Sequence, residues 1–232
     1  MSPFANGEYL LLNSIIPICD SFFDIGANKG EWTAYILDNK KKDKSRFFLY
    51  EPGVAAFNIS TNRFKDFSNV EMHQMAVSDT IGKLKFYEQI NAGELSSAIE
   101  KWADGPVSSI EVETTTIDSE LQRLSIDYLD YAKIDTEGFD LKVLKGANNS
   151  IRNKRIGFIQ FEYNRVWAMS GSTLQEAYEI LEECGYKVFL LKPDGLYTYD
   201  VRKYGEFYAF SNFFAIAPQN ILSLKSLIKG AA

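Results

Sequence analysis

The run Phe22-Phe23-Asp24-Ile25-Gly26-Ala27-Asn28-Lys29-Gly30-Glu31-Trp32 constrains this chain more than any other stretch. It reads as a buried strand, a glycine-containing turn and the start of a helix. Gly26 permits a sharp turn without a Cβ clash, and Gly30 lets the helix pack close to the sheet. The helix N-terminus offers free N–H groups and a positive dipole end to whatever occupies the turn. Asp24, at the strand end, is placed to meet a cation or a hydroxyl there. A dinucleotide site normally reads Gly-x-Gly-x-x-Gly, whereas this turn reads Asp-x-Gly-Ala-Asn-Lys-Gly. That difference predicts a ligand without a pyrophosphate. S-adenosylmethionine has the matching chemistry, with an ammonium, a carboxylate, a sulfonium and a ribose but no phosphate.

The remainder of the chain alternates strands and helices. A leading helix is expected over 8–19, where apolar residues recur at helical spacing, ended by Pro17 to Asp20. Strands are expected at 21–25, 46–50, 70–77, 131–135, 156–161, 186–191 and 213–217. Helices are expected at 28–39, 54–64 with Pro52 at its start, 118–124, 139–145 stopped by Gly146, and 173–184. A short closing helix fits 221–228. Two further strands, 83–87 and 110–116, form a β-rich excursion. The polar stretch 91–109 between them is the candidate substrate loop. Residues 1–232 show no repeat and no linker, so one doubly wound α/β domain is expected. Ligands of such sheets sit at the carboxyl ends of the strands. Asp24, Glu51, Ser78-Asp79, Asp135 and Glu162 all collect there.

Composition narrows the function classes. With 232 residues, 46% of them hydrophobic and 24% charged, the chain supports one domain with a full core. A net charge of −6 argues against nucleic acid or an anionic membrane as the main partner. The basic run Lys40-Lys41-Lys42-Asp43-Lys44 reads as a solvated loop. Cys19 and Cys184 match no metal spacing and read as free thiols in a reducing compartment. No basic segment precedes Lys29 as in a signal peptide, and no apolar run approaches the ~18 residues needed to span a bilayer. A cytoplasmic protein is expected.

Glu51 stands about 20 residues past Gly30, where a carboxylate can accept hydrogen bonds from both ribose hydroxyls or cap the next helix. Asp79 is either an adenine contact or an ordinary turn carboxylate. Lys133-Ile134-Asp135-Thr136-Glu137-Gly138 ends a central strand with two carboxylates beside a glycine. A neutral hydroxyl acceptor must be deprotonated or metal-bound as it attacks, and Asp135 is the candidate base. Asp135 could instead join Glu162 and Asn164 as oxygen ligands of a hard divalent cation such as Mg2+. Glu137 is either catalytic or a helix-start carboxylate. His73, the only histidine, reads as a packed strand residue, so no Ser-His-Asp triad has its parts within this chain. Tyr163 and Trp167 are expected at an acceptor pocket, and the aromatic segment 207–214 in the core.

Taken together, these fragments resemble the FkbM family of S-adenosylmethionine-dependent methyltransferases. The resemblance runs from Phe22 to Ala217 through Phe23 to Gly30, Tyr50-Glu51-Pro52, Ala76-Val77-Ser78-Asp79 with Gly82, and Ser96-Ser97. It continues through Thr116-Ile117-Asp118, Lys133 to Gly138, Leu144-Lys145-Gly146-Ala147 and Phe161-Glu162-Tyr163. It implies a class I methyltransferase fold: a Rossmann-like three-layer sandwich whose seven-stranded, mostly parallel sheet has an antiparallel last strand. It also implies O-methylation of a sugar, a glycan or a polyketide-type natural product. By that likeness Asp24, Gly26, Ala27, Asn28 and Gly30 would contact the methionine part of the cofactor. Glu51 would hold the ribose, and Ala76, Val77, Ser78 and Asp79 would flank the adenine. Lys133, Asp135 and Glu137 fall in the catalytic-side motif. Asp140 stands where the family more often has Glu, a departure expected to matter little. The partner is then a small-molecule or glycan acceptor, and a homodimer paired through helices or sheet edges is a further expectation. Two alternatives stay open: a nucleotide-cofactor oxidoreductase, against which the missing glycine pattern speaks, and a non-catalytic binding scaffold, against which the retained carboxylates speak.

Overall fold

Strands covered on both faces carry apolar residues side by side and not in strict alternation, and the central strands here do. Ser21–Ile25 and Ile156–Tyr163 have no exposed residue. The computed structural model describes residues 6–40, 44–89, 97–99 and 107–231. The first half comprises Glu8–Ile15 (α1), Ser21–Ile25 (β1), Glu31–Asn39 (α2), Arg46–Tyr50 (β2), Val54–Phe64 (α3) and Val70–His73 (β3). Ala76–Val77 (β4), Gly82–Gln89 (β5), Val107–Thr115 (β6), Ile117–Arg123 (α4) and Leu129–Ile134 (β7) follow. Next come Asp140–Lys145 (α5), Asn148–Arg152 (α6), Ile156–Tyr163 (β8), Val166–Ser170 (α7) and Leu174–Glu182 (α8). The chain closes with Lys187–Lys192 (β9), Gly195–Thr198 (β10), Val201–Tyr204 (α9), Ser211–Ile216 (β11), a 3-10 helix at Pro218–Leu227 and Ile228–Ala231 (β12).

The main sheet has nine strands in the order β12-β10-β9-β11-β8-β7-β1-β2-β3. From β3 to β8 all neighbours are parallel, and β11 runs antiparallel between β8 and β9. These seven strands match the expected sheet. The structure adds β10, antiparallel to β9, and β12, parallel to β10, so the count is nine rather than seven. The expected strand 70–77 is also divided. Val70–His73 pairs with β2, but Ala76 and Val77 leave the main sheet to pair with Thr114 and Thr115 of β6. Together β4, β6 and β5 make a second, three-stranded sheet.

Period-two alternation sends neighbouring residues to opposite cores. Phe22 packs with Phe47 and Tyr131 under α1, α2 and the 3-10 helix, while Phe23 packs with Phe48 and Ala132 under α4, α5 and α8. Both cysteines are free, with Cys19 buried.

Helix ends carry several of the family fragments. Thr116 caps α4, its hydroxyl accepting the Ser119 N–H. Asp118 accepts the N–H groups of Asn149 and Ser150 and so caps α6, an element the sequence pattern missed. Gly146 does not end α5 in a left-handed turn; its φ is −70°, and a Cβ there would lie 2.0 Å from the Ser78 carbonyl oxygen. Close approach, not turn geometry, requires that glycine. Pro52 precedes the N-cap Gly53 instead of starting α3. Also unforeseen were α7, β10, α9 and β12, each five residues or shorter, a length at which periodicity is not readable. Most of the 91–109 stretch and Lys41 to Asp43 of the basic run lie outside the described residues, and 107–109 belong to β6.

Candidate active site

The turn after β1 is shaped by what presses on it. Gly26 has φ +78°, and a Cβ there would sit 1.9 Å from the Asp135 carbonyl oxygen at the end of β7. Gly30 has φ +73°, and its Cβ would meet Phe64 at 2.3 Å and Ser60 at 2.8 Å. Gly30 therefore admits α3, not the sheet as its position suggested. Gly26 and Ala27 donate their N–H groups to the Tyr50 carbonyl, tying the turn to β2. Asn28 adopts φ +48°, which aims its N–H at Glu51 Oε2, 2.9 Å away.

Glu51 is clasped on its other side by the Gly53 N–H, 2.8 Å from Oε1. Each carboxylate oxygen keeps a second lone pair for a ligand hydroxyl. Burial pushes the Glu51 carboxyl up to about 7, against the two backbone hydrogen bonds that favour its charge.

A cavity of about 320 Å³ runs along the strand ends. Its apolar end is lined by Met75, Ala76, Val77, Leu84 and Phe86. Tyr50, Glu51, Gly26, Ala27 and Asn28 line its middle. At the far end Lys133, Asp135, Glu137 and Glu162 meet Phe139 and Phe210. Asn28 Oδ1 and the Trp32 indole N–H, both on residues of this wall, are buried without a hydrogen-bond partner among the described residues. Buried polar atoms left so are costly, and a polar ligand in this cavity is the group that would satisfy them.

Several expected contacts lie elsewhere. Asp24 is fully buried beneath the turn, does not line the cavity, and accepts the Thr33 hydroxyl at 2.7 Å. Burial raises its pKa, countered by Lys133. Gly30 is likewise absent from the wall. Ser78 is buried against Gly146, and its hydroxyl donates to the exposed Asp79; neither lines the cavity, unlike Ala76 and Val77. Tyr163 and Trp167 are fully buried core residues, so they do not form an acceptor wall. Phe210, expected in the core, is 42% exposed and lines the cavity instead. His73 stacks on Tyr50 and contacts Glu71, as a packed strand residue would.

At the far end Lys133 lies 3.0 Å from Asp135 Oδ2 and 3.9 Å from Asp24 Oδ1. Burial opposes its charge, but Asp135, Asp24 and Glu8 outweigh burial and hold its pKa above the ordinary lysine range. Carboxylate oxygens of Asp135, Glu137 and Glu162 all lie within 4.8 Å of one another. Burial first, then Asp135, Glu137 and Asp140, pushes the Glu162 carboxyl well above its usual value. A proton or a cation relieves that crowding. Asn164, the other expected oxygen ligand, donates its amide N–H to Glu162, and its oxygen accepts the Val166 N–H at 2.8 Å. Glu137 is the third carboxylate of the cluster. Asp140 organises the turn beside this cluster. Fully buried, it accepts the Thr136 hydroxyl at 3.0 Å, the Gly138 N–H at 3.3 Å and the Glu162 N–H at 3.2 Å. It thereby holds the 136–138 turn against β8, and burial lifts its own pKa to about 7.

One wall residue had no sequence signal. Glu8 of α1 is 7% exposed, lines the cavity and is held by the Gln160 amide at 2.7 Å. A carboxylate in the first turn of a leading helix reads as solvent-facing.

The strand order, the antiparallel β11 and the carboxylate-clasped turn after β1 together define a class I methyltransferase fold. The methyltransferase FkbM domain matches residues 24–188, and the chain belongs to that family. Comparison with curated proteins finds no sequence match. Among solved structures, the chain is similar to methyltransferase FkbM from Methylobacillus flagellatus KT, with TM-score 0.56 and 16% identity over 85% of this chain. It spans only 43% of that protein's length. It is also similar to the METTL16 methyltransferase domain, with TM-score 0.51 and 12% identity over 90% of this chain and 66% of the other. Likenesses at this identity speak to the fold alone. Among the described residues, no helix is long and apolar enough to cross a membrane.

Proposed function

We propose that this chain transfers a methyl group from S-adenosylmethionine to a hydroxyl of a sugar, glycan or natural-product acceptor. The observation that carries the reading is one cavity joining the Glu51 clasp to the Asp135, Glu137 and Glu162 carboxylates. Glu51 would accept the ribose hydroxyls on its free lone pairs. Ala76, Val77 and Phe86 offer an apolar slot for the adenine, and the 26–28 turn would border the donor's chain. The bound donor supplies an electrophilic methyl on a sulfonium, whose leaving group needs no acid.

Asp135 would take the acceptor proton, its carboxylate oriented by Lys133. Glu162 and Glu137 would fix the acceptor hydroxyl, and Phe139 with Phe210 would cover its apolar face. Positioning then supplies much of the rate. The same three carboxylates have the oxygen-only donor set of a hard divalent cation, which would acidify a bound hydroxyl in place of a general base. Binding of a cation there would also relieve the charge crowding at Glu162.

The test is calorimetric titration with S-adenosylhomocysteine and, separately, with NAD, each with magnesium and after chelation. Micromolar binding of S-adenosylhomocysteine, lost in Glu51→Ala, supports the donor assignment and is followed by an acceptor screen for methyl incorporation. NAD binding alone would replace the reading with an oxidoreductase. Donor binding without transfer to any hydroxyl acceptor would favour a scaffold. A magnesium effect lost in Glu162→Gln would assign the cation to this cluster.

A further inference from the structure

The leading helix contributes a charged group to the cavity that neither the motif pattern nor the mechanism above uses. Glu8 sits in the first turn of α1, 7% exposed, within the wall that also holds Lys133 and Asp135. Its Oε1 accepts the Gln160 amide at 2.7 Å. Gln160 is itself fixed, accepting the Tyr131 hydroxyl at 2.5 Å and donating to Asn212 Oδ1 at 3.3 Å. Glu8 Oε2 accepts no hydrogen bond from a described residue and is not among the enclosed, unpartnered atoms. That oxygen therefore keeps some accessible surface, on a residue that lines the cavity.

A carboxylate carried this deep costs free energy unless a cation offsets it. Lys133 is a cation whose charge acts on Glu8, but it contacts Asp135 at 3.0 Å and Asp24 at 3.9 Å. Burial leaves the Glu8 pKa raised even with Lys133 and Gln160 lowering it. Glu8 is thus held through three buried side chains, and among the described residues none supplies a cation in hydrogen-bond contact with it.

Position identifies what should meet it. The adenine slot lies at β4 and β5, Glu51 ends β2, the glycine turn follows β1, and Lys133 lies on β7. Adjacent strands are about 4.8 Å apart, so this path crosses roughly 10 Å from β2 to β7. A donor laid along it, adenosine first, brings its amino-acid end over β1 and β7, beneath α1. We infer that Glu8 is the specificity residue for the ammonium of the donor's amino-acid end, pre-oriented by Gln160 and Tyr131. This rests on the donor reading above. It also assigns the leading helix a role: α1 closes the donor site, so the amino acid is read by an element upstream of the glycine turn.

The test uses two ligands and one isosteric change. Glu8→Gln keeps the side-chain shape and an oxygen for the Gln160 amide, but removes the charge. S-adenosylhomocysteine carries the ammonium, whereas its deaminated analogue and 5′-methylthioadenosine do not. Calorimetry on the full chain should show Glu8→Gln weakening S-adenosylhomocysteine by about tenfold or more, as expected for loss of a charged hydrogen bond. The affinities of the two amine-free ligands should stay within about twofold of wild type. Gln160→Leu, which frees Glu8 without removing it, should give a smaller loss with the same ligand dependence.

Equal weakening of all three ligands by Glu8→Gln would mean a general packing role and would overturn the inference. Unchanged S-adenosylhomocysteine affinity would overturn it too, leaving the donor reading intact. Failure of the wild type to bind S-adenosylhomocysteine would overturn the donor reading and this inference with it. Thermal unfolding of both variants identifies a folding defect; should Glu8→Gln fail to fold, wild-type discrimination between S-adenosylhomocysteine and its deaminated analogue decides. No discrimination would refute an ammonium contact.

Discussion

If Glu51 holds the donor ribose as proposed, it should couple folding and ligand binding in opposite directions, and the coupling can be measured. Its carboxyl is raised from 4.5 to about 7, with burial the largest cause. A carboxyl raised on folding favours the folded state below its unfolded value, and that advantage is lost as pH rises through the folded one. At pH 8 the buried charge therefore costs the ligand-free protein about 3 kcal/mol, from the displacement of the pKa. Glu51→Gln removes the charge but turns one amide N–H toward a backbone donor, losing one of the two clasping hydrogen bonds, worth about 1.5–3 kcal/mol. The variant should accordingly unfold at the same temperature as wild type or slightly higher at pH 8, and lose any advantage at pH 5.

Ligand binding should go the other way. Two ribose hydroxyls donate most strongly to the ionised carboxylate, because protonation turns one oxygen into a donor and removes the charge, so wild-type affinity for S-adenosylhomocysteine should fall by up to about tenfold from pH 8 to pH 6. Glu51→Gln should weaken binding at pH 8 by about 10- to 100-fold. Asp140, Glu162 and Glu8 also have raised pKa values, so the decisive quantity is the difference in pH slope between variant and wild type. Calorimetry at four pH values with paired melting curves supplies it. Equal slopes in the two proteins would refute the argument, as would an unaltered affinity in the variant.

Other sites give simpler outcomes. Gly26→Ala must place a methyl carbon 1.9 Å from the Asp135 carbonyl at φ +78°, so it should destabilise by about 3 kcal/mol or more and lower the melting temperature by about 6–12 °C. Asp118→Ala removes the cap of α6 and should cost about 1–2 kcal/mol in melting experiments, leaving S-adenosylhomocysteine affinity untouched because the residue lies outside the cavity. With an acceptor identified, Asp135→Asn should slow transfer at least about 100-fold in single-turnover assays, with donor affinity changed by less than about threefold.

The linear chain by itself determined the sheet's interior and the turn that feeds the site. Strands such as Ser21–Ile25 and Arg46–Tyr50 place apolar residues side by side, Phe22-Phe23 and Phe47 to Tyr50, so their burial on both faces is written locally. The run from Asp24 to Gly30 predicts its turn because glycine is the residue that tolerates φ near +75° with a neighbour against its Cα. The prominence of Glu51 and Asp135 follows from strand-end position, which periodicity also reveals.

Only the tertiary structure decided which strand-end carboxylates face the cavity and which are sealed beneath it. Asp24 and Glu162 look alike in sequence, yet Asp24 is closed over by Thr33 and α2 while Glu162 opens beside Asp135. Asn164 spends its oxygen on the Val166 N–H, a local cap that no ligand spacing announces. Glu8 reaches the site across 152 residues of chain, through Gln160. The edge strand β12, which pairs with β10, and the diversion of Ala76 and Val77 into a second sheet depend likewise on distant partners. Burial and hydrogen-bond partnership are properties of the packed chain; residue order supplies the side chains, and packing determines which of them a ligand can reach.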